Sequence, residues 1–256
     1  MSISLPCLVR KELICGMFLC VIALPVHAGS VLVWSSGNSS AGTAAVAAWI
    51  QASGLFTSVT GVDANSMTLA QLSAYNEVLY FSNNSSAGQD PTAIGDVLDA
   101  YAATGNRLVL ATFSWAEQGG NTLGGGIIST GDSPFLANGA TLYSFSSMAS
   151  NDGSAFFSGV NSVTGYYRDD VVLSAGAILR ASWADGTPLE ATKGNIVAVD
   201  LFPDDSYGLI SGDYRQLFIN ALSADEQISN IPEPGTLGLV AFSLLALVGR
   251  ISRRKS

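Results

Sequence analysis

The C-terminal stretch of this 256-residue chain, residues 231–256, restricts the fold more than any other part of the sequence. Between Gly235 and Gly249 no residue is charged, and the apolar residues cover all helix faces rather than one stripe. A helix of this length covers roughly 22 Å, and a snorkelling Arg250 would let Ile251 extend it toward the ~30 Å hydrocarbon layer. We expect a transmembrane helix with its basic end in the cytoplasm and the preceding chain outside. The alternative is a buried core helix.

Three short motifs follow one another in this stretch. The triplet Pro232-Glu233-Pro234 comes first, Gly235-Thr236-Leu237 opens the apolar run, and a basic cluster ends it. The basic residues are Arg250, Arg253, Arg254 and Lys255. The order of these parts resembles the PEP-CTERM sorting signal of Gram-negative bacteria. The resemblance implies recognition by an exosortase-type membrane protease, cleavage near the triplet, and delivery to the cell surface or an exopolysaccharide matrix.

The N-terminal stretch has the pattern of a secretory signal peptide. Arg10 and Lys11 precede an apolar run from Leu13 to Leu24, and Val26-His27-Ala28 places small residues at the first and third positions. Twelve apolar residues are too few for a membrane anchor, so we predict cleavage between Ala28 and Gly29. The predicted organisation is a signal peptide at 1–28, one globular domain at 29–224, and a linker with the sorting signal and transmembrane helix at 225–256.

Removal of the signal peptide changes the side-chain inventory. It takes away every cysteine and the only histidine, namely Cys7, Cys15, Cys20 and His27. The mature chain therefore has no disulfide, no thiolate nucleophile, no imidazole base and no histidine or cysteine metal ligand. This excludes Ser-His and Cys-His catalysis, and we expect no cofactor.

The mature chain is strongly acidic. From Gly29 to Pro234 it has 19 acidic and five basic residues, a net charge of −14, and Lys193 is the only lysine of that region. Nucleic-acid binding needs phosphate neutralisation, so we expect no nucleic-acid partner. The charge is typical of a soluble secreted protein, or of one bridged to acidic polymers through divalent cations.

The body alternates strands with helices in its first half. The predicted strands are Val31–Trp34, Phe56–Val62, Glu77–Ser82 and Arg107–Phe113, and the predicted helices are Thr43–Ala52, Thr68–Tyr75 and Asp90–Thr104. Continuous apolar strands separated by helices indicate an α/β domain with a parallel, flavodoxin-like sheet covered by helices on both faces. For the second half we predict a long loop, shorter strands and a closing helix. The loop is 116–131, and short strands or turns are expected within 136–145 and 154–165. The clearer strands are 171–175, 177–184 and 196–202, and the helix is 213–222.

A polar motif occurs twice, each time after a strand and before a helix. The first copy contains Asn38, Ser39 and Ser40, and the second contains Asn84, Ser85 and Ser86. In a parallel sheet both loops lie at the carboxyl edge, where open α/β folds bind ligands, so they form a candidate site for anions or hydroxylated ligands. The alternative is that tight turns need Asn, Ser and Gly in any case.

The closing part of the body, Gly194–Pro203 followed by Asn220-Ala221-Leu222, is similar to the last strand and helix of class I glutamine amidotransferase-like and ThuA-like domains. The resemblance implies a flavodoxin-like fold with a cysteine nucleophile after a central strand. Here the corresponding segment reads Ser114-Trp115-Ala116-Glu117, without cysteine. We therefore expect no amidotransferase activity and no enzyme.

Acidic side chains leave three further options open. A carboxylate pair could hydrolyse glycosides, with Asp169-Asp170, Asp204-Asp205 and Glu117 available, although adjacent acids more often lie in a solvated turn. Oxygen ligands for Ca²⁺ could come from Asp200, Asp204, Asp205 and Asp213. A serine–lysine dyad would require Lys193.

The interpretation that fits best is an exported, non-catalytic structural or binding component associated with exopolysaccharide. It would be anchored in the inner membrane as a precursor and then reach the cell surface. A carbohydrate-active hydrolase and a calcium-dependent adhesion module are the alternatives.

Overall fold

A computed structural model describes residues 29–83, 89–116 and 122–224. Within these ranges no helix is long and apolar enough to cross a membrane. Several predicted features lie outside the described residues. They are the signal peptide up to Ala28, loop residues Asn84, Ser85 and Ser86, Glu117, and the sorting-signal residues Pro232, Glu233, Pro234, Arg250, Arg253, Arg254 and Lys255.

The first half forms strands and helices in alternation, as predicted. They are β1 (Ser30–Ser36), α1 (Ser40–Gln51), β2 (Ser58–Asp63), α2 (Leu69–Leu72), β3 (Glu77–Ser82), α3 (Pro91–Ala102) and β4 (Arg107–Ala111). The helices begin at side-chain caps: Ser39 accepts from Gly42 N, Thr68 forms a capping box with Gln71, and Asp90 accepts from two backbone amides of α3. Local cap chemistry therefore defines where each helix begins.

The second half contains more strand than its sequence predicts. Its elements are α4 (Gly125–Ser129), β5 (Phe135–Asn151), β6 (Val163–Leu173), β7 (Ile178–Trp183), β8 (Pro188–Lys193), β9 (Ile196–Val199), β10 (Ile210–Gly212) and α5 (Tyr214–Ser223), with short 3₁₀ turns at Ala155–Phe157 and Asp205–Tyr207. The predicted long loop includes α4, and β5 and β6 are long strands where short strands or turns were expected. Strand β8 was not predicted, whereas the closing helix is confirmed as α5.

All ten strands join one sheet in the order β10-β6-β5-β7-β8-β9-β4-β3-β1-β2. Parallel pairing joins the strands β2, β1, β3, β4 and β9. We call these five strands, together with the helices that pack on them, the parallel half. The strands β8, β7, β5, β6 and β10 pair antiparallel, and we call them the antiparallel half. The predicted parallel sheet is therefore confirmed for its core, but the sheet as a whole is mixed, because five of the described strands pair antiparallel. Short connections such as the turn at Gly194 allow only hairpins, because a parallel neighbour needs a long crossover.

Helices cover both faces of the parallel half, as predicted. On one face α1 and α5 pack on the sheet through Val46, Ile50 and Leu217. On the other face α3 and α4 pack through residues such as Leu98 and Ile127. Alternate residues of each central strand face the two layers, which explains why β1 and β3 are apolar almost throughout.

The two ends of the described domain lie at the same edge of the sheet. Gly29 directly precedes β1, and its carbonyl accepts from Thr57 N at 3.0 Å. Arg107, the first residue of β4, donates through Nη2 to the carbonyl of Ala224 at 2.6 Å. Both contacts are at the amino end of the parallel strands.

Candidate functional site

Three polar side chains meet at the opposite edge, where the parallel strands end. Asn38 follows β1 and donates through Nδ2 to Oδ2 of Asp204 at 3.2 Å. Asn83 follows β3 and donates to Oδ1 of Asn38 at 3.1 Å and to the Tyr207 hydroxyl at 3.2 Å. We call Asn38, Asn83 and Asp204 the polar edge. The loops after β1 and β3 therefore meet here, as the repeated motif indicated.

The other motif residues have more local positions. Ser39 is the N-cap of α1, and its Oγ accepts from Gly42 N at 3.0 Å. Ser40 is exposed at the first position of α1. Ser39 thus supports the interpretation that the motif serves a helix start, while Asn38 links separate loops.

Asp204 is held in place at the start of α1. It is 4% exposed, and its Oδ1 accepts from Ser206 N at 3.0 Å. A Cβ on Gly42 would lie 2.0 Å from Oδ2 of Asp204, so glycine is required for this close approach. The carboxylate also benefits from the positive end of the α1 dipole.

Next to the polar edge lies a continuous group of aromatic rings. We call it the aromatic surface, and it consists of Tyr143 and Phe145 from β5, Tyr166 and Tyr167 from β6, and Tyr207. Tyr167 lies 5.9 Å from both Tyr143 and Tyr207, and Phe145 lies 5.1 Å from Tyr166, measured between ring centroids. Tyr143, Phe145 and Tyr207 are 51%, 59% and 52% exposed.

The aromatic surface is anchored to the core. Tyr167 contacts the buried rings of Phe113 and Phe202, at 5.7 and 6.0 Å between centroids. Burial raises the pKa of Tyr167, and the neighbouring tyrosines raise it further, so its hydroxyl stays protonated as a hydrogen-bond donor. A small pocket is lined by Tyr166 and Tyr167 of the aromatic surface and by Asp204 of the polar edge. Rings fixed in this way lose little conformational entropy when a ligand binds.

The five aromatic residues were not predicted from the sequence as site residues. Tyr143 and Phe145 are two residues apart in β5, a spacing that places both side chains on one face of a regular strand, and this spacing was the available signal. Their approach to Tyr207 depends on the pairing of β5 with β6 and on the turn after β9, which the sequence does not reveal.

Three of the acidic residues considered for hydrolysis or metal binding are buried, namely Asp169, Asp200 and Asp204. Asp169 on β6 and Asp200 after β9 are both 0% exposed, although the sequence favoured a solvated turn for Asp169-Asp170. Oδ1 of Asp200 accepts from the backbone N–H of Asp169 at 2.6 Å, and Trp183 Nε1 donates to its Oδ2 at 3.2 Å. Burial raises the pKa of Asp169 to about 7, and burial together with the Asp169 charge raises the pKa of Asp200 well above its usual range.

The buried pair organises the segment that follows β4. Oδ2 of Asp169 accepts from the backbone N–H groups of Trp115 and Ala116, at 3.0 and 3.2 Å. Ser114 is buried, and its hydroxyl donates to the carbonyl of Ala111 at 2.6 Å. Where the amidotransferase-like resemblance implies a nucleophile, the hydroxyl and the two following amides thus already have partners.

The other proposed acidic and basic residues also have separate partners. Asp170 accepts from Asn138, Asp205 pairs with Tyr214 and Arg215, and Asp213 accepts from the amides of Asn161 and Ser162. In the described ranges no group of three or more His, Cys, Asp or Glu residues is placed to hold a metal ion. The four aspartates considered for Ca²⁺ are therefore not brought together as a set.

Lys193 is held by backbone carbonyls. Its Nζ donates to Gly131 O at 2.5 Å and Ala175 O at 2.6 Å, and it lies 3.5 Å from Oγ of Ser174. Two of its contacts are therefore with backbone carbonyls, and the serine hydroxyl nearest to it is that of Ser174.

Comparisons with known proteins address the C-terminal stretch and the body separately. Residues 230–255 match the PEP-CTERM protein-sorting motif. A search of curated protein sequences gives no match. The fold is similar to that of solved structures at low sequence identity, so these similarities concern the fold alone.

Three of these structures illustrate the similarity. A protein described as a GMP synthase component from Thermoplasma acidophilum is 13% identical, with a TM-score of 0.53 over 77% of this chain and 93% of its own. A ThuA-like protein from Bacteroides uniformis is 12% identical, with a TM-score of 0.51 over 78% and 91%. A cytoplasmic protein from Salmonella typhimurium is 11% identical, with a TM-score of 0.55 over 75% and 98%. The chain therefore carries a PEP-CTERM sorting motif after a body whose fold resembles that of class I glutamine amidotransferase-like and ThuA-like proteins.

Proposed function

We propose that this chain is an exported, exosortase-sorted protein whose α/β domain binds a glycan at the cell surface or in an exopolysaccharide matrix, without catalysis. The observation that carries the binding proposal is the aromatic surface beside the polar edge. The sorting motif supports export and processing by an exosortase.

The chemistry of these residues suits a sugar. Aromatic rings offer flat apolar faces for the C–H side of a pyranose, and the tyrosine hydroxyls add polar contacts. Asn38, Asn83 and Asp204 supply amide donors and carbonyl or carboxylate acceptors for sugar hydroxyls. Leaving rings such as Phe145 more than half exposed forgoes burial energy, which is typical of a binding surface.

The arrangement after β4 supports a role without catalysis. An acyl-transfer site needs a free nucleophile and free backbone donors for the oxyanion. Here the Ser114 hydroxyl donates to a carbonyl, and the Trp115 and Ala116 amides donate to Asp169. The buried Asp169 and Asp200 carboxyls are also out of reach of a polysaccharide, which argues against their use in glycoside hydrolysis.

The charge of the mature chain favours a class of glycan. At a net charge of −14 between Gly29 and Pro234, an anionic polysaccharide is repelled at low ionic strength. A neutral, hydroxyl-rich glycan avoids this cost. Binding of acidic polymers would require divalent cations as bridges.

Glycan binding is tested with the mature chain, residues 29–256, in detergent on an array of neutral and acidic polysaccharides. Phe145→Ala and Tyr207→Ala should each weaken binding at least about tenfold, which is the loss of one good stacking contact. Ile178→Ala is the matched control, because Ile178 is 52% exposed on β7, as exposed as Tyr207 but outside the aromatic surface. Unchanged binding in both aromatic variants contradicts the proposal, and release of sugar would favour a hydrolase.

Sorting is tested by comparing the intact chain with a variant that lacks Pro232–Ser256. The intact chain should be shortened near the Pro232–Pro234 triplet and reach the cell surface in a host with an exosortase. The truncated variant should differ from it in both location and processing. If the intact chain keeps the full mass of its C-terminal segment, or if it reaches the same location as the truncated variant, the sorting proposal fails.

A further inference from the structure

The first residue of the predicted mature chain is fixed in the domain. Gly29 is buried, and its carbonyl accepts from both the backbone N–H and the hydroxyl of Thr57, at 3.0 and 2.9 Å. The next residue, Ser30, donates its N–H to Oδ1 of Asn76 at 3.0 Å. Hydrogen bonds therefore fix Gly29 and Ser30 at the amino edge of the sheet.

A buried carboxylate lies directly against this residue. Glu77, the first residue of β3, is 3% exposed. A Cβ built on Gly29 would lie 2.4 Å from each of its two carboxylate oxygens. A side chain at position 29 would have to displace the Glu77 carboxylate, so this close approach depends on glycine.

The charges around Glu77 come from neighbouring elements. Arg107 on β4 is its direct cross-strand partner. Burial raises the pKa of the Tyr101 phenol on α3, and the nearby Glu77 carboxylate raises it further. A buried carboxylate is stabilised by each positive charge that lies against it, because burial makes a negative charge costly.

We propose that Glu77 is the counter-ion for the α-ammonium group of Gly29 that removal of the signal peptide creates. Signal peptidase hydrolyses the Ala28–Gly29 bond with one water, leaving a carboxylate on Ala28 and an ammonium on Gly29. Before cleavage the Gly29 nitrogen is a neutral amide, and after cleavage it carries a positive charge next to Glu77. The ion pair makes the processed domain more stable than the same domain with residues still attached in front of Gly29.

This inference rests on the export part of the proposed function and on cleavage after Ala28, but not on glycan binding. Its test uses the mature chain, residues 29–256, in detergent, released from a fusion partner by a protease that leaves Gly29 as the first residue. A second chain retains Val26-His27-Ala28 in front of Gly29. Both chains are made with Glu77 and with Glu77→Gln, and thermal unfolding is measured for all four.

In the chain that begins at Gly29, Glu77→Gln should lower the Tm by at least about 5 °C more than in the extended chain, as expected for loss of one partner of a buried ion pair. The extra loss should disappear when the pH is raised well above the pKa of the amine, because the ammonium then becomes neutral. An equal loss in both backgrounds overturns the proposal, since Glu77 would then serve the fold alone.

A second measurement does not depend on variants. In the folded wild-type chain at pH 7, an amine-selective reagent should label the Gly29 nitrogen at least about tenfold more slowly than in the same chain unfolded in urea, because a buried ammonium is protected. Equal labelling rates contradict the proposal. N-terminal sequencing of the exported protein must also begin at Gly29, and a different first residue would refute it while leaving glycan binding untouched.

Discussion

The parallel and antiparallel halves of the sheet differ in how much of each strand is buried. In the parallel half β3 is buried along its whole length, because helices cover both faces. In the antiparallel half β5 has 17 residues, most of which are at least partly exposed. The exposed rings of the aromatic surface come mainly from β5 and β6, whereas the polar edge comes from the parallel half and the turn after β9. One half therefore contains strands that are buried along their length, and the other carries most of the exposed rings of the proposed glycan-binding surface.

Phe81 and Phe145 give the sharpest comparison, because the same truncation is made in each half. Phe81 on β3 is 0% exposed and Phe145 on β5 is 59% exposed. We expect Phe81→Ala to lower the free energy of unfolding by about 3–5 kcal/mol, and Phe145→Ala by less than about 1 kcal/mol. Urea unfolding measures both. Similar losses would mean that the aromatic surface is part of the core.

The Asp169–Asp200 pair predicts a pH dependence that originates in the antiparallel half. The pKa of Asp169 is raised to about 7, above the unfolded value of about 3.9, so the folded state binds more protons between these values. Its contribution is fully present below pH 4 and is lost as pH rises through 7. Asp169→Asn should flatten this part of the stability curve relative to the wild type. An unchanged slope would show that other groups determine it.

Arg168 tests whether the antiparallel half has an anchor of its own. Its guanidinium is buried over the Trp183 ring, pairs with Asp185 at 2.7 Å and donates to the Ser144 carbonyl. Arg168→Leu keeps much of the volume but removes these polar contacts, and we expect a loss of about 1–3 kcal/mol. Arg215→Leu is the control, because its ion pair with Asp205 is more exposed and should contribute less than about 1 kcal/mol. Equal effects would argue against an anchor at Arg168.

A helix cap in the parallel half gives the smallest expected effect. Asp90 accepts from the N–H groups of Thr92 and Ala93 at the start of α3, at 3.0 and 3.2 Å. Asp90→Ala should cost about 1 kcal/mol, and Asp90→Asn, which can still cap, should cost less. Chemical denaturation distinguishes the two variants. If they behave alike, the cap contributes little to α3.

The sequence predicted the parallel half well because local signals coincide there. Asp90-Pro91 marks a helix start, and the continuous apolar strands indicate burial on both faces. In the antiparallel half the signals conflict. The strand β8 was not predicted, because Pro188 is rare inside strands and Glu190 and Lys193 are charged. Glu190 is nevertheless 0% exposed. Burial raises the pKa of Glu190 well above its usual range, a long-range effect that no local pattern indicates.

The candidate site was predicted only where adjacent loops suffice to define it. Asn38 could be placed at the carboxyl edge because strand order and loop position follow from the βα pattern. The aromatic surface combines residues 143–207 through strand register, bulges and a 3₁₀ turn. Register depends on contacts across the whole sheet, so a single sequence could not predict this grouping.

The position of the chain ends determines which side of the anchored domain faces away from the membrane. Gly29 and Ala224 leave the domain at the amino edge of the parallel strands, and the polar edge lies at the other end of the same strands. In the proposed precursor the membrane segment follows Ala224, so the tether and the binding surface are on opposite sides of the domain. A long polymer outside the cell could then engage the anchored protein without passing between the domain and the bilayer, and release from the tether would change its diffusion but not its access to the ligand.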